Sequence, residues 1–342
     1  MTARPGMDVR HSPRGGARLW QHVEPGFAAL AVWTERLPGR GEDADPLVLF
    51  QRSGARGVLS VFDGVGGAGR AVAGRAVSGQ ERTQAWVASR RVRGLVEEWY
   101  VKGSPAGQLG AHIAERLPVG SATHTRMRGT MRRDFPTTIA GLDFRLAADH
   151  VRWGVFWAGD SRCYVADPTH GLQQLSRDDA MSSDALDLLV QAPPMTNMVS
   201  AGRPFELNRS PGSAPLPCVL ICATDGFFGY VDTPAQFENM LWDTMASAQD
   251  MRHWGSMLTS RVESFTGDDA SLALVGLGFD DLPDLRAHFA PRARRVRVEH
   301  AEPMAHVPPG NRTALVTARE RSWQSYRRDY ERRLLLPQGD GR

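Results

Sequence analysis

The segment at residues 58–67 constrains the fold of this chain more than any other stretch. It begins with an apolar run at 58–62, rich in β-branched residues, which predicts a buried strand. The run ends at Asp63, and glycines follow at positions 64, 66 and 67. A carboxylate at a strand end, beside backbone that bends freely, suits a metal site. A strand-end aspartate can also cap a following helix, and this segment alone leaves both interpretations open.

Acidic residues mark the borders of several further predicted strands. Asp160 and Asp225 directly follow a hydrophobic strand pattern, and Asp269 directly precedes one. Glu42 and Asp43 are neighbours on the loop before a short apolar run at 47–50. Acids at strand borders can converge at one end of a sheet, where they repel one another unless cations neutralise them. Carboxylate oxygens are hard ligands that select Mg²⁺ or Mn²⁺.

In their order along the chain, these acidic blocks resemble the motifs of the metal-dependent protein phosphatases, the type 2C serine/threonine phosphatases, in their bacterial form. The matched blocks are Glu42-Asp43, Asp63-Gly64, Gly159-Asp160-Ser161-Arg162, Thr224-Asp225-Gly226 and Gly267-Asp268-Asp269. They fall within residues 42 to 279, which is most of the chain. The resemblance and the strand and helix patterns predict an α+β fold, a four-layer α/β/β/α sandwich of two mainly antiparallel sheets flanked by helices.

The resemblance implies hydrolysis of phosphoserine and phosphothreonine in proteins by a water that two metal ions, Mg²⁺ or Mn²⁺, activate together. The protein substrates would be products of a serine/threonine kinase. Asp63 is the expected catalytic residue, since its two oxygens can bridge the two ions. Water is the nucleophile in this chemistry, so the resemblance implies neither a covalent phospho-enzyme nor a nucleophilic cysteine.

The family also implies a ligand set. One ion would be held by Asp63, Asp225 and Asp269, and the other by Glu42, Asp63 and the carbonyl of Gly64. Asp43 would hold a metal-bound water. In bacterial relatives a third, weaker ion uses the aspartate of the Gly-Asp-Ser-Arg block, here Asp160, together with Asp225.

Two arginines precede the Glu42-Asp43 pair. In the family an arginine upstream of this pair grips the substrate phosphate, and a guanidinium suits that role because its fork matches phosphate geometry. The family's usual position, four residues before the glutamate, is a proline here, and Arg36 and Arg40 flank it. We expect Arg36 to bind the phosphate because residues 37–39 predict a turn that folds it back over the site. Arg40 is the alternative.

The sequence departs from the family in a few positions. Val65 stands where many animal members have a histidine that is a proposed general acid, although bacterial members often lack it too. Gly41 and Ala270 replace asparagines beside the metal ligands, which removes amides that orient them. Asp268 could compete with Asp269 as the ligand. The departures keep a second hypothesis open, a pseudophosphatase that uses the same fold as a phosphoprotein-binding or regulatory module.

Composition argues against several other classes. No apolar run approaches the roughly 20 residues that a membrane helix needs, and the first residues are polar, so we expect a soluble cytoplasmic protein. Nucleic acid is not expected as a partner, because the net charge is only +3 and the arginine-rich C-terminal region lacks a recognisable reading motif. A nuclease or another two-metal hydrolase would share the acids but not the order of the five blocks. Three cysteines, an odd number without zinc spacing, predict buried free thiols.

Composition divides the chain into three regions. Residues 1–18 are rich in Arg, Gly and Pro and are predicted to be disordered. The resemblance implies that residues 19–280 form the phosphatase domain, and composition predicts a basic linker with a C-terminal helix at 314–335 for residues 281–342. Aromatic residues of that helix recur at three- and four-residue spacing, as a stripe of Trp323, Tyr326 and Tyr330 that Leu334 extends. The stripe favours packing against the domain, and binding of a partner is the alternative.

Within the domain, patterns predict several elements. Residues 19–32 predict an edge pair of strands, 137–166 an antiparallel meander, and 67–100 a helix with a break. Two helices are expected over 234–265 and a last strand over 271–279. Residues 167–215 look irregular apart from one helix near 184–190, which makes this insert a candidate substrate flap.

Overall fold

The structure is a computed structural model. It describes residues 18–76, 79–117, 134–180, 184–190 and 194–334. The segment predicted to be disordered, 1–18, lies outside the described residues except for Arg18.

The strands form two large sheets and two small two-stranded sheets. In chain order the strands are β1 (Leu19–Glu24), β2 (Phe27–Thr34), β3 (Leu47–Gln51), β4 (Arg56–Val61), β5 (Val72–Arg75), β6 (Glu81–Thr83), β7 (Asp134–Thr137), β8 (Ile139–Leu146), β9 (His150–Ala158), β10 (Arg162–Asp167), β11 (Gly171–Gln174), β12 (Val199–Ala201), β13 (Asn208–Pro215), β14 (Cys218–Ala223) and β15 (Ala270–Leu277). The first sheet has the order β1-β2-β15-β14-β10-β11 and the second β13-β9-β8-β4-β3. Every pairing in both sheets is antiparallel.

The two sheets pack face to face around a shared core. Leu59 and Leu142 of the second sheet belong to one buried cluster with Leu220 and Val275 of the first. The strands β14 and β15 are buried along their whole length, because the other sheet covers one face and helices cover the other. Strands covered on both faces read as continuous apolar runs, and this is why they were visible in the sequence.

Helices cover the outer face of each sheet. They are α1 (Gly66–Gly69), α2 (Gln84–Lys102), α3 (Leu109–Arg116), α4 (Ala185–Val190), α5 (Asp225–Phe228), α6 (Pro234–Ser247), α7 (Met251–Glu263), α8 (Leu282–Val296), α9 (Glu302–Ala305) and α10 (Arg312–Tyr330). Helices α2 and α3 pack on the second sheet, and α6, α7, α8 and α10 pack on the first. This arrangement confirms the predicted α/β/β/α sandwich. Among the described residues, no helix combines the length and the apolar character needed to cross a membrane.

The helix predicted from residue 67 is wrong in its first half. A β-hairpin of β5 and β6 occupies that stretch, and the long helix α2 begins only at Gln84. Gly79 has φ of +81°, a conformation that suits a turn and not a helix. Thr83 then caps α2, since its hydroxyl accepts the N–H of Trp86. The predicted edge pair of strands at 19–32 is present, since β1 and β2 pair antiparallel at one edge of the first sheet.

The insert at 167–215 is more regular than predicted. The helix α4 is present, but β11, β12 and β13 also lie in this stretch, so its interpretation as an irregular flap is wrong for them. Strand β13 contains Pro211 and Gly212, the residue types that argued against a strand. Its place at the edge of the second sheet explains the error, because an edge strand tolerates both.

The C-terminal region packs on the first sheet. Where a linker was predicted, Leu285 and Phe289 of α8 are buried, and Pro291 lies inside the same helix. Helix α10 confirms the predicted C-terminal helix and its packing, since Trp323, Tyr326 and Tyr330 are all buried. Where the phosphatase domain ends stays a prediction.

The three cysteines are free and buried, as expected. Cys163 and Cys222 are directly opposite on β10 and β14, with their Sγ atoms 3.6 Å apart. Burial raises the pKa of the Cys222 thiol, and raises that of Cys218 to about 12. Such thiols stay protonated and are poor nucleophiles.

Candidate metal centre

The sheet topology brings acids from three strand ends and two loops to one edge of the sandwich. They are Asp63 after β4, Asp160 after β9, Asp225 after β14, Asp268 and Asp269 before β15, and Glu42 and Asp43 before β3. Strands β4 and β9 each pair antiparallel with β8, so they run in the same direction and end at the same edge. Strand β3 starts where β4 ends, and β15 starts where β14 ends, because those pairs are antiparallel.

Asp63 lies in the middle of this group of acids. Its main-chain carbonyl is fixed by Thr137 Oγ1 at 2.6 Å and by the N–H of Thr138 at 2.8 Å. Burial raises the pKa of its carboxyl well above the usual range, and neighbouring carboxylates raise it further. Those neighbours are Asp43, Asp225, Asp160 and Asp268. A group that meets four like charges binds a proton or a cation more readily than an isolated carboxylate does.

Glu42 lies against the glycine turn that follows Asp63. Its Oε1 accepts a hydrogen bond from the hydroxyl of Thr83, and its carbonyl accepts one from Ser89 Oγ at 2.5 Å. A Cβ atom added at Gly66 would lie 1.9 Å from Glu42 Oε2, so only glycine fits there. Burial raises the pKa of Glu42, and the charges of the Asp268–Asp269 pair add to the effect. The side chain is therefore held at the site by the start of α2.

Asp43 is the most enclosed of the acids, with 5% of its surface exposed. Its Oδ2 accepts a hydrogen bond from Thr224 Oγ1 at 3.0 Å, which ties the loop before β3 to the end of β14. Burial raises the pKa of Asp43 well above the usual range, and the carboxylates of Asp269 and Asp225 contribute.

Asp225 and Asp160 form the other side of the group. Burial, followed by the charge of Asp268, raises the pKa of Asp225 to about 6. Burial, followed by the charges of Asp225 and Asp178, raises the pKa of Asp160 well above the usual range. The Oδ1 atom of Asp160 is buried and has no hydrogen-bond partner among the described residues. A buried carboxylate oxygen without a donor is costly, and a cation is the partner that it fits.

The two adjacent acids before β15 have different surroundings. Asp269 is held by two main-chain N–H groups: Oδ1 accepts from Arg36 at 2.8 Å and Oδ2 from Glu42 at 2.5 Å. Asp268 instead contributes to the raised pKa values of both Asp63 and Asp225. These hydrogen bonds show that Asp269 fixes the 36–42 loop, and its role as the metal ligand that the resemblance implies stays a prediction.

These acids share a region but do not form a ready coordination shell. Across the described stretches of chain, no three acidic, histidine or cysteine side chains are placed to hold one metal ion as they stand. Like charges keep carboxylates apart until a cation offsets their repulsion. The donor set of carboxylates, a main-chain carbonyl and an unsatisfied Asp160 oxygen nevertheless fits Mg²⁺ or Mn²⁺, which prefer hard oxygen ligands.

The predicted turn before Glu42 is present, since the N–H of Arg40 donates to the Leu37 carbonyl at 2.9 Å. The positive charge of Arg36 opposes the rise in the pKa of Asp268 and of Tyr230, so its guanidinium lies on the side of the acids. The side chain of Arg40 makes no hydrogen bond or ion pair within the described residues and points to none of the acids.

Tyr230 is a residue at the rim of the site that sequence reasoning missed. It is 45% exposed, and its ring lies so close to Gly267 that a Cβ atom there would be 2.9 Å from Cε1. Burial, followed by the charges of Asp268 and Asp225, raises the pKa of its hydroxyl. Nothing in the sequence pattern around it marks a functional residue.

Arg162 of the Gly-Asp-Ser-Arg block is paired with Asp178, and its positive charge opposes the rise in the pKa of Asp160 and Asp225. Its Nε and Nη2 atoms each lie 2.7 Å from an oxygen of Asp178, its guanidinium stacks over Phe228, and Nη1 lies 3.3 Å from the hydroxyl of Tyr330. The buried pair fixes the turn that carries Asp160 against α5 and α10.

No protein-family model and no curated protein sequence matches this chain. Several solved structures match it. The catalytic domain of the serine/threonine phosphatase PstP, in complex with two manganese ions, is 18% identical, with 73% of this chain and 98% of that chain covered and a TM-score of 0.46. The phosphatase Stp1 from Staphylococcus aureus is 14% identical, covering 75% and 98%, with a TM-score of 0.49. RsbX in complex with magnesium is 13% identical, covering 76% and 99%, with a TM-score of 0.46.

This chain is similar in structure to bacterial serine/threonine phosphatases. At such low identity and TM-score the likeness carries no argument about activity, which has to come from the residues of this chain.

Proposed function

We propose that this chain is a metal-dependent phosphatase that removes phosphate from phosphoserine and phosphothreonine in proteins. The observation that carries the proposal is the position of Asp63, a strand-end carboxylate that meets the charges of four other aspartates. A second observation supports it, the buried Asp160 oxygen that lacks a donor. Protein folding gains nothing from gathering unpaired carboxylates, so a cation-dependent activity is the natural reason for them.

The proposed ligand set differs from the family expectation at one position. Asp63 would contact both ions, with Asp225 and Asp268 on one side and Glu42 and the Gly64 carbonyl on the other. Asp43 and Asp160 would bind through water or hold a third ion. When bound, two Mg²⁺ or Mn²⁺ ions lower the pKa of water and offset the charge of the phosphate.

Other side chains of the site have proposed roles that do not involve binding the metal. Asp269 anchors the main chain of Arg36 and so holds that guanidinium beside the acids, where it can bind the outer oxygens of a phosphate. Val65 offers no proton for the leaving group. Tyr230 is exposed at the rim, where a protein substrate would approach, and its hydroxyl can donate a hydrogen bond.

A pseudophosphatase remains the alternative, and one observation favours it. No three potential ligands in the described residues are already arranged around a single point. A binding module of this kind would hold a phosphoprotein through Arg36 without turning it over. The two functions share the fold and the proposed partner class, phosphorylated proteins, but they differ in the need for a metal.

Hydrolysis of an aryl phosphate, with and without Mn²⁺, separates these functions. The enzyme hypothesis predicts product only with the metal, and loss of that product on chelation. If the protein binds a phosphoserine peptide yet releases no phosphate at saturating Mn²⁺, the pseudophosphatase is correct.

A further inference from the structure

Three arginines lie side by side at the opposite end of the second sheet from the acids. Arg56 of β4 is directly opposite Arg145 of β8, and Arg145 is directly opposite Arg152 of β9. Directly opposed residues of antiparallel strands point to the same face, with Cβ atoms about 4.5–5.5 Å apart. Like charges in such positions destabilise a sheet. The stability of the fold therefore does not explain a row of three arginines.

The row forms the floor of a cavity of about 490 Å³ between the sheet and the end of α2. Tyr100 and Ser104 line it from the helix side, and Arg209 of β13 lines it from the sheet. Sites for small ligands have volumes of roughly 300–1,000 Å³, so a molecule of that class fits here.

The lining is strongly positive. It contains four arginines and one acid, Asp143, which gives a formal charge of +3. Only Arg209 is paired with that acid, at 3.3 Å. Arg152 donates to a histidine nitrogen, His150 Nε2, at 3.1 Å, and Arg145 has no side-chain partner within the part of the chain that the structure describes. Most of this charge is therefore available to a ligand.

Two of the arginines are held in place before any ligand arrives. Arg56 Nε donates to Gln51 Oε1 at 2.7 Å, and its guanidinium carbon lies 5.2 Å from the centre of the Tyr100 ring. Arg209 Nη1 donates to the Ala106 carbonyl at 2.5 Å. Holding side chains in their binding geometry reduces the entropy lost on association.

We propose that this arginine groove binds a small anion that carries two or more phosphate groups. Guanidinium forks match phosphate oxygens, and three uncompensated positive charges match a ligand of comparable negative charge. The groove is separate from the metal centre: the seven steps from Arg56, at the start of β4, to Asp63, just after its end, span up to about 23 Å at about 3.3 Å per residue. The inference does not depend on the phosphatase activity.

The test is calorimetric titration of the full-length chain with inorganic triphosphate, in the presence of a chelator so that no divalent metal contributes. We expect binding at one site that weakens as salt is added. Arg145→Ala and Arg152→Ala should each weaken binding about tenfold or more, since a charge-assisted hydrogen bond is lost. Arg294→Ala, an exposed arginine of α8 that does not line the groove, is the matched control and should bind as the wild type does.

A second readout guards against misfolding. Without ligand, Arg145→Ala should melt at the wild-type temperature or above it, because the substitution removes like-charge repulsion. Wild-type protein should melt higher with triphosphate, and Arg145→Ala should lose most of that shift. The proposal is overturned if triphosphate does not bind, if the control weakens binding as much as Arg145→Ala does, or if a tricarboxylate such as citrate binds as tightly.

Discussion

The carboxylate of Asp269 accepts the main-chain N–H of Glu42 at 2.5 Å, a bond between the start of β15 and the loop before β3. Its second oxygen accepts the N–H of Arg36. One side chain thus positions both the proposed phosphate-binding arginine and a proposed metal ligand. Its neighbour Asp268 is left to face Asp225 and Asp63.

The two adjacent acids should respond differently to the same substitution. Asp268→Asn removes a proposed ligand, so metal-dependent hydrolysis should fall more than 100-fold. Asp269→Asn keeps one acceptor and should cost roughly 10- to 100-fold, the range typical of residues that orient ligands. Rates at saturating Mn²⁺ decide the matter. A larger loss in Asp269→Asn than in Asp268→Asn would return the ligand role to Asp269.

The metal-free protein should become less stable as the pH rises through about 6. Asp225 has a pKa of about 6 in the fold, raised from 3.8, so folding favours its protonated form. The stability that this protonation contributes is complete below about pH 4, and it is lost as the pH rises past the pKa of about 6 that Asp225 has in the folded protein. Asp225→Asn imitates the neutral form, so at pH 8 without metal its free energy of unfolding should exceed that of the wild type by up to about 3 kcal/mol.

Urea unfolding at pH 5 and pH 8, with and without Mn²⁺, measures this effect. The wild type should gain stability from the metal at pH 8 and little at pH 5, whereas Asp225→Asn should gain less at either pH. A metal-free Asp225→Asn protein that is no more stable than the wild type at pH 8 would contradict the account.

Sequence patterns predicted those parts of the molecule that neighbouring residues determine. Strands β14 and β15 were visible because both of their faces are buried, and α10 because its aromatic stripe has helical spacing. The acids of the candidate site were visible in the sequence because each lies at the border of a predicted strand. The hairpin of β5 and β6 is short and exposed, so no apolar period marks it.

Other features depend on distant parts of the chain and could not be predicted. Whether Asp268 or Asp269 faces Asp225 is decided by N–H groups at residues 36 and 42. The place of Tyr230 depends on its packing against Gly267. The arginine row is visible only when the register of three strands is known.

The two arginines before Glu42 provide a kinetic test. Arg36→Ala should raise KM and lower kcat for a phosphopeptide, a combined loss of about 1.5–3 kcal/mol for a charge-assisted contact. Arg40→Ala is the matched control and should be close to the wild type, since its side chain contacts none of the acids. Equal losses in the two variants, or none in either, would mean that the phosphate is bound elsewhere.

The C-terminal helices should contribute to the stability of the sandwich through a buried ion pair. Arg292 of α8 is 4% exposed and binds Glu238 of α6, which is fully buried, at 2.7 and 2.9 Å. Arg292→Ala leaves that carboxylate unpaired and should cost about 3–5 kcal/mol. Arg294→Ala, an exposed position on the same helix, should change stability by less than about 0.5 kcal/mol. Equal free energies of unfolding for the two variants would refute this role.

The most direct test of the central claim is the release of phosphate from a phosphothreonine peptide by wild type and Asp63→Asn, each at saturating Mn²⁺. The account predicts metal-dependent turnover for the wild type. It predicts none for Asp63→Asn, although that variant should fold and, without metal, be at least as stable as the wild type, because it removes the most crowded negative charge. Wild-type turnover by the folded Asp63→Asn protein would contradict the account.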